Sequence, residues 1–401
     1  MVVKNRKRSI FRRKPPLSSK ARSSSAAGYQ QGRIDGYAKG WGDGLQAGFE
    51  QGSKAESPGI VATAALKNAL VIASGYIASL NIGIIQPFEE LSNRGGFAYK
   101  VKLEEEVTRE DIAAADVVVF LRNVEPAAYR YLEWAHEMGK RTVYVIDDNF
   151  LDIPATTPIG VYYQDESRRE TFRKFLKHSQ MIKVDATYFA DYIRTHFNPN
   201  VIYFPASVNF ALLDQASAPQ KDSAAIVIGY AGGYKEETFA PVVPALQRIL
   251  DYYGGFVRLE FFGFAPAGIP ESSNVSFLPM ETDYKQFLLK LYQRGWDIGL
   301  APLADTPFNN SKTNNKFRDY SACGIAGIYS ALPLYTEWIK HGETGYLLPL
   351  HTEDSWFAGI KQLIENPAMR ATIKSKAAEL SREHFRVDSC ADRWNELIFY
   401  T

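Results

Sequence analysis

From about Pro58 to its end the chain alternates short apolar runs with stretches patterned like amphipathic helices, and this alternation restricts the fold more than any other feature. In the first half, strand-like runs are expected at 82–85, 117–121, 142–146, 181–184 and 201–204, and in the second at 225–230, 258–262, 275–278, 298–301, 325–330 and 345–348. Helix-like stretches such as 127–138 and 167–177 lie between them. Strands that alternate with helices are joined by crossovers, so they pair in parallel and are covered by helices on both faces. The polar run 214–223 (DQASAPQKDS) interrupts the rhythm and reads as a linker. With 401 residues, at roughly 100–200 per domain, two or three domains fit. The expected class is therefore α/β: two doubly wound domains in series, facing a cleft. The expected boundaries are an extension at 1–57, a first domain at 58–213, a second at 224–380 and a closing helical piece at 381–401. Residues 367–400 read as helix with a break near 385–387.

The extension has its own chemistry. Residues 1–27 carry nine basic side chains, all between Lys4 and Arg22, and no acid. The whole chain is +1, so the remaining 374 residues carry −8. A basic arm of this kind suits an anionic membrane surface or an acidic partner, or is simply a solvated tail; no specific nucleic acid is expected. It is followed by no apolar segment of the secretory type. Residues 28–52 then place glycine at every fourth position, from Gly28 to Gly52. On a helix these glycines form one ridge, at a cost of about 1 kcal/mol each relative to alanine. Such a helix is expected only where a second helix packs on the ridge, giving self-association or docking; a flexible linker is the other reading. The repeat is similar to those of flagellar export-ATPase regulators. The uncharged run 68–88 is long enough to span a bilayer. Its Asn, Ser, Gly, Gln and Pro content instead favours a buried helix running into a first strand at 81–86. Two cysteines, Cys323 and Cys390, exclude a disulfide framework or a thiolate zinc site and fit a reducing, cytoplasmic compartment.

In open α/β sheets ligands sit beyond the carboxyl ends of the strands, and three such places carry chemistry-bearing residues. The run from Gly229 to Lys235 (GYAGGYK) includes Gly232 and Gly233, whose N–H groups can approach a phosphate or sugar while Lys235 adds charge. A tight turn without a ligand is the alternative there. The run from Pro307 to Gly324 carries Lys312 and Lys316 four apart, with Asp319 three further on. If a helix begins near Thr313, its free N–H groups, its dipole and two ammonium groups converge on one spot suited to a diphosphate. Asp319, a turn deeper, can accept ribose hydroxyls; a surface ion pair is the alternative. Asp147 and Asp148 end a first-domain strand, where they can hold an acceptor hydroxyl, cap a turn or, less well, bind a metal, since no histidine or third acid stands at ligand spacing. No metal or other cofactor is expected. The sequence shows no Gly-x-Ser-x-Gly elbow and no convincing nucleophile triad.

Trp296–Leu303 (WDIGLAPL), followed by Phe308-Asn309, Lys312, Lys316, Asp319-Tyr320, Ala322 and Gly324, resembles the donor-binding signature of group 1 (family four) glycosyltransferases of the GT-B fold. The turn from His341 to Gly345 (HGETG) and the glycine-rich loop at 229–233 are similar to further motifs of that family. Residues 97–101, 116–122 and 145–148 resemble its first domain. The resemblance covers roughly residues 80–400. Asp319 stands where the family usually has the second glutamate of its Glu-x7-Glu pair, and Ser311 where it has the first. The resemblance implies two Rossmann-like domains and a retaining, metal-independent transfer of a sugar from a nucleotide-diphosphate donor to a glycan, glycolipid or protein acceptor. It also implies a last helix crossing back to the first domain. On this reading Lys312 and Lys316 stabilise the leaving diphosphate. Gly232, Gly233, Lys235, Asn309, Thr313 and Asp319 bind the donor, and Lys100, Asp147 and Asp148 lie on the acceptor side. The protein is expected in the cytoplasm, including at the inner membrane face. The other readings are a non-catalytic GT-B scaffold recruited by its glycine-repeat helix and a nucleotide-sugar epimerase.

Overall fold

Among the described residues every strand of the two six-stranded sheets runs parallel to its neighbours. The computed structural model describes residues 67–219 and 224–400; the basic arm and the glycine repeat lie outside the described residues. The first sheet consists of β1 (Lys67–Ala73), β2 (Phe97–Leu103), β3 (Val117–Leu121), β4 (Arg141–Val145), β5 (Met181–Val184) and β6 (Val201–Tyr203), in the order β2-β1-β3-β4-β5-β6. The second consists of β7 (Ile226–Ala231), β8 (Val257–Phe262), β9 (Val275–Leu278), β10 (Ile298–Ala301), β11 (Ala326–Ser330) and β12 (Tyr346–Leu348), in the order β12-β11-β10-β7-β8-β9. The central strands β3, β10 and β11 are buried throughout, because helices cover both faces and leave no solvent side for polar residues.

The start of the first sheet differs from the sequence expectation. Residues 82–85 are not a strand; the first strand is β1, and Asn81–Ile85 is a π-type turn within a helical run that continues as helix α1 (Gln86–Arg94). Leu80, Ile84, Phe88 and Leu91 are all buried, a stripe at helical spacing that packs against the sheet. The uncharged run at 68–88 thus holds a strand followed by a helix, the reverse of the expected order. Ser74 and Gly75 mark the division between them. The edge strand β2 was missing from the expected list because its sequence, FAYKVKL, mixes lysines with apolar residues. No helix among the described residues is long and apolar enough to cross a membrane.

The second domain is built on helix α2 (Val242–Tyr253), which packs against the sheet, and on α3 (Asn315–Ala322), which joins β10 to β11. The chain then runs through the long helix α4 (Pro367–His384) and turns into α5 (Val387–Trp394). This last helix belongs to the core of the first sheet. Cys390, Trp394, Ile398 and Phe399 are buried there, the Trp394 ring meets Phe88 edge-on at 4.8 Å, and its Nε1–H donates to the Gly83 carbonyl at 3.0 Å. At the crossing point the Val208 N–H donates to the Phe385 carbonyl at 2.7 Å. A second link between the domains comes from Glu337, whose carboxylate accepts from Thr187 Oγ1 at 2.9 Å and from the Tyr203 hydroxyl.

Candidate functional site

Each sheet has one place where successive crossovers leave in opposite directions: between β1 and β3 in the first, and between β7 and β10 in the second. A crevice opens there beyond the strand ends. The two crevices face each other across a cavity of 160 Å³ whose wall includes Ser79, Arg122, Asp147 and Asp148 from the first domain and Lys235, Lys312, Thr313, Asn315 and Lys316 from the second. Larger hollows of 410 and 420 Å³ lie elsewhere, one around Phe210 and Arg382, the other beside β1 and β2. Their charged groups are already paired with each other, Arg382 with Asp214 and Lys100 with Asp111, which leaves little charge free for a ligand.

The second-domain wall follows from local sequence. After β7 the chain turns at Gly232, with φ 154°, and a Cβ there would stand 2.9 Å from the Tyr230 hydroxyl and 3.1 Å from Lys316 Nζ. Glycine is what lets the backbone sit this close to the lysine. Thr306 caps the short helix Pro307–Asn310, accepting from the Asn309 N–H, and Asn314 occupies the N-cap position of α3. Lys312 therefore lies just ahead of α3 and Lys316 in its first turn. Lys312 Nζ rests 3.9 Å from the Phe308 ring centroid, and Lys316 Nζ 5.8 Å from that of Tyr230. Gly324, with φ 66°, follows the helix as its left-handed stop.

Electrostatics separates the three ammonium groups. Burial, with Lys312 and Lys316 close by, pushes the Lys235 ammonium down to about 7. Burial also lowers Lys316, with Lys312 adding to the effect and Asp319 opposing it. Neither Lys235 nor Lys316 forms an ion pair among the described residues, whereas Lys312 Nζ reaches across the cleft to Asp148 Oδ1 at 3.0 Å. The surplus positive charge in a half-buried cavity marks it as a site for an anion.

The first-domain wall is a network of hydrogen-bonded charges. Arg122 donates through Nη2 to Asp148 Oδ2 at 2.9 Å and through Nε to Asp147, which also accepts from Ser79 Oγ at 2.5 Å. Burial works against charge on Asp147, but Arg122 and Ser79 together hold its carboxyl below the usual range. Arg122 is the one non-glycine residue with positive φ, 57°, among the described residues. An arginine in this region carries strain of roughly 1–2 kcal/mol, which persists only where the surroundings fix it.

The remaining expected site residues lie off the cavity wall. Gly233 continues the turn after β7. Asn309 is buried, and its Nδ2 donates to the Ala304 carbonyl at 2.9 Å, tying down its own loop. Asp319 is buried a turn deeper than Lys316 and accepts from the Tyr284 hydroxyl at 2.8 Å. Its burial raises its pKa, partly offset by Lys316 and Tyr284. Ser311 donates to the Pro307 carbonyl within its own short helix. Lys100 is placed away from the cleft, on edge strand β2, with its ammonium 2.8 Å from Asp111. Residue reasoning missed Arg122 and Ser79. The signals for Arg122 were a charge closing the apolar run VVVFLR and its place in the 116–122 resemblance.

Among solved structures the chain is similar to HepE of Anabaena in complex with UDP-glucose, with a TM-score of 0.60 at 12% identity over 83% of this chain and 100% of that one. It is similar to sucrose-phosphate synthase of Thermosynechococcus elongatus, with a TM-score of 0.61 at 13% identity over 82% of this chain and 98% of that one. A glycosyltransferase of Rickettsia africae gives 0.61 at 12% identity over 82% and 97%. No protein-family model and no curated protein matches the sequence. The likeness shows the fold: two Rossmann-like domains in the GT-B arrangement.

Proposed function

We propose that this chain is a glycosyltransferase that moves a sugar from a nucleoside-diphosphate donor to a glycan, glycolipid or protein hydroxyl, with retention at the anomeric carbon and without a metal ion. The observation that carries this reading is the convergence of Lys235, Lys312 and Lys316 on the cavity between the facing switch points. In the reaction the bond from the anomeric carbon to the β-phosphate oxygen breaks, and its electron pair leaves with the phosphate. Ammonium groups lining the cleft stabilise that charge as it develops. The acceptor hydroxyl attacks the face from which the phosphate departs and passes its proton to the departing phosphate oxygen, while the carboxylates of Asp147 and Asp148 stand on the opposite wall to orient it. This agrees with the absence of a carboxylate pair spaced for a covalent intermediate in the sequence reading. The fold is shared with a HepE structure holding UDP-glucose, so uridine nucleotides are the first donors to test. The basic arm between Lys4 and Arg22 suits an enzyme working on glycolipid at an anionic surface, and the repeat at 28–52 suits docking to a second helix.

The test is a thermal-shift and calorimetric screen of UDP-, GDP- and dTDP-sugars, followed by transfer assays with and without EDTA. One donor class is expected to bind and stabilise the protein, and transfer is expected to survive chelation. Binding of no nucleotide sugar at millimolar concentration overturns this reading. Donor consumption that yields an epimerised nucleotide sugar without acceptor likewise rules the reading out.

A further inference from the structure

One contact in the cleft is not required by leaving-group chemistry. Lys312 Nζ, on the donor wall, is held by Asp148 Oδ1 of the opposite domain at 3.0 Å. The two partners are anchored very differently. The other oxygen of Asp148 takes Arg122 Nη2 at 2.9 Å, and Arg122 is itself tied to Asp147, which Ser79 holds from behind at 2.5 Å. That carboxylate is fixed. Lys312 rests on the face of Phe308 at 3.9 Å and reaches Asp148 at the end of a four-carbon stem with free torsions. With the pair formed, the cavity measures 160 Å³, less than the roughly 300 Å³ at which ligand pockets begin. The contact therefore takes up charge that a diphosphate needs.

We propose that Asp148 stands in for the donor's diphosphate in the empty enzyme, so that donor binding is an exchange in which Lys312 gives up Asp148 for a phosphate oxygen. This rests on the glycosyltransferase reading and deepens it. Asp148 stays clamped by Arg122, and its Oδ1, freed from Lys312, is left facing the cavity as an acceptor for a hydroxyl hydrogen. The productive order follows: donor first, acceptor second. With no donor bound, the carboxylate that would greet the acceptor is already occupied.

Calorimetry with UDP and GDP as probes tests the exchange on the full-length protein, using wild type, Asp148→Asn, Asp147→Asn, Lys312→Ala and the Asp148→Asn/Lys312→Ala double variant. Removing the competitor is expected to tighten diphosphate binding at least fivefold in Asp148→Asn. Asp147→Asn, equal in charge change but linked to Lys312 only through Arg122 and Asp148, is expected to gain less than half as much as Asp148→Asn. Lys312→Ala is expected to bind at least tenfold more weakly, and adding Asp148→Asn to it is expected to change affinity by less than twofold. Asp148→Ala serves in the same scheme if the asparagine variant fails to fold. Three results overturn the exchange: no gain in Asp148→Asn, an equal gain in Asp147→Asn, or a gain that survives without Lys312. If wild type itself binds neither nucleoside diphosphates nor nucleotide sugars, the glycosyltransferase reading falls with it. If wild type binds but Asp148→Asn gains nothing, only the exchange falls.

Discussion

Lys235 holds the least secure charge in the cleft. Burial and two neighbouring ammonium groups bring it to about 7, so near pH 8 most of it is neutral before an anion arrives. A bound diphosphate favours the charged form and raises that value. Binding therefore takes up a proton in the window above pH 7, and affinity falls as pH rises through it, while below about pH 6 the linkage vanishes. Calorimetry at pH 8 in two buffers of different ionisation enthalpy should report uptake approaching one proton; zero uptake contradicts the assignment. Lys316 is tested through rate rather than affinity. Lys316→Ala should lower transfer by on the order of 10²–10³, the usual consequence of losing one preorganised charge contact. Its melting temperature should stay within a few degrees, since the ammonium is held against its own burial cost; transfer at the wild-type rate counts against the site. Lys312 and Lys316 were legible in the sequence because four-residue spacing at a helix start is a local property. Arg122 was not: its importance lies in a backbone angle and in meeting two carboxylates from a different strand end. Lys100 shows the converse, a charge the sequence assigned to the acceptor side that the fold spends on Asp111.

At the level of elements, the helix that presents Lys316 depends on how it stops. Gly324 sits at φ 66° with no atom within 4 Å of where a Cβ would be, so a side chain there meets only backbone strain. Gly324→Ala should cost about 1–2 kcal/mol, lowering the melting temperature by roughly 1–3 °C. Gly324→Asn should cost less, because asparagine tolerates the left-handed region. Equal losses for the two variants would show that packing, not φ, is what matters. The central strands could be read from sequence because strands buried on both faces are continuous apolar runs. Residues 82–85 were misread because a short apolar run has the same pattern in a buried strand and a buried helix. Only the wider stripe through Leu80, Ile84, Phe88 and Leu91 distinguishes them. Strand β2 escaped because an edge strand is allowed its lysines.

For the whole molecule, the carboxyl of Glu337 couples domain contact to pH. Burial between Thr187 and Tyr203 pushes it up to about 7, against about 4.3 in an unfolded chain. Between those values the folded protein keeps a proton that the unfolded chain has released, so stability declines as pH rises through the window and levels off above about 7. Glu337→Gln is neutral throughout. The difference in melting temperature between variant and wild type should therefore shift in the variant's favour from pH 5 to pH 8; a difference that does not move with pH removes Glu337 from this role. The two-domain plan was readable from the strand rhythm and the polar run at 214–223, whereas the depth at which Trp394 is seated required the structure. That seat has a mechanical consequence. The backbone passes between the domains twice, once after β6 and again near Phe385, with Val208 hydrogen-bonded to Phe385 between the two passages. A motion that parts the two domains therefore has to flex both stretches of backbone together and to break the Asp148–Lys312 pair that joins the crevice walls.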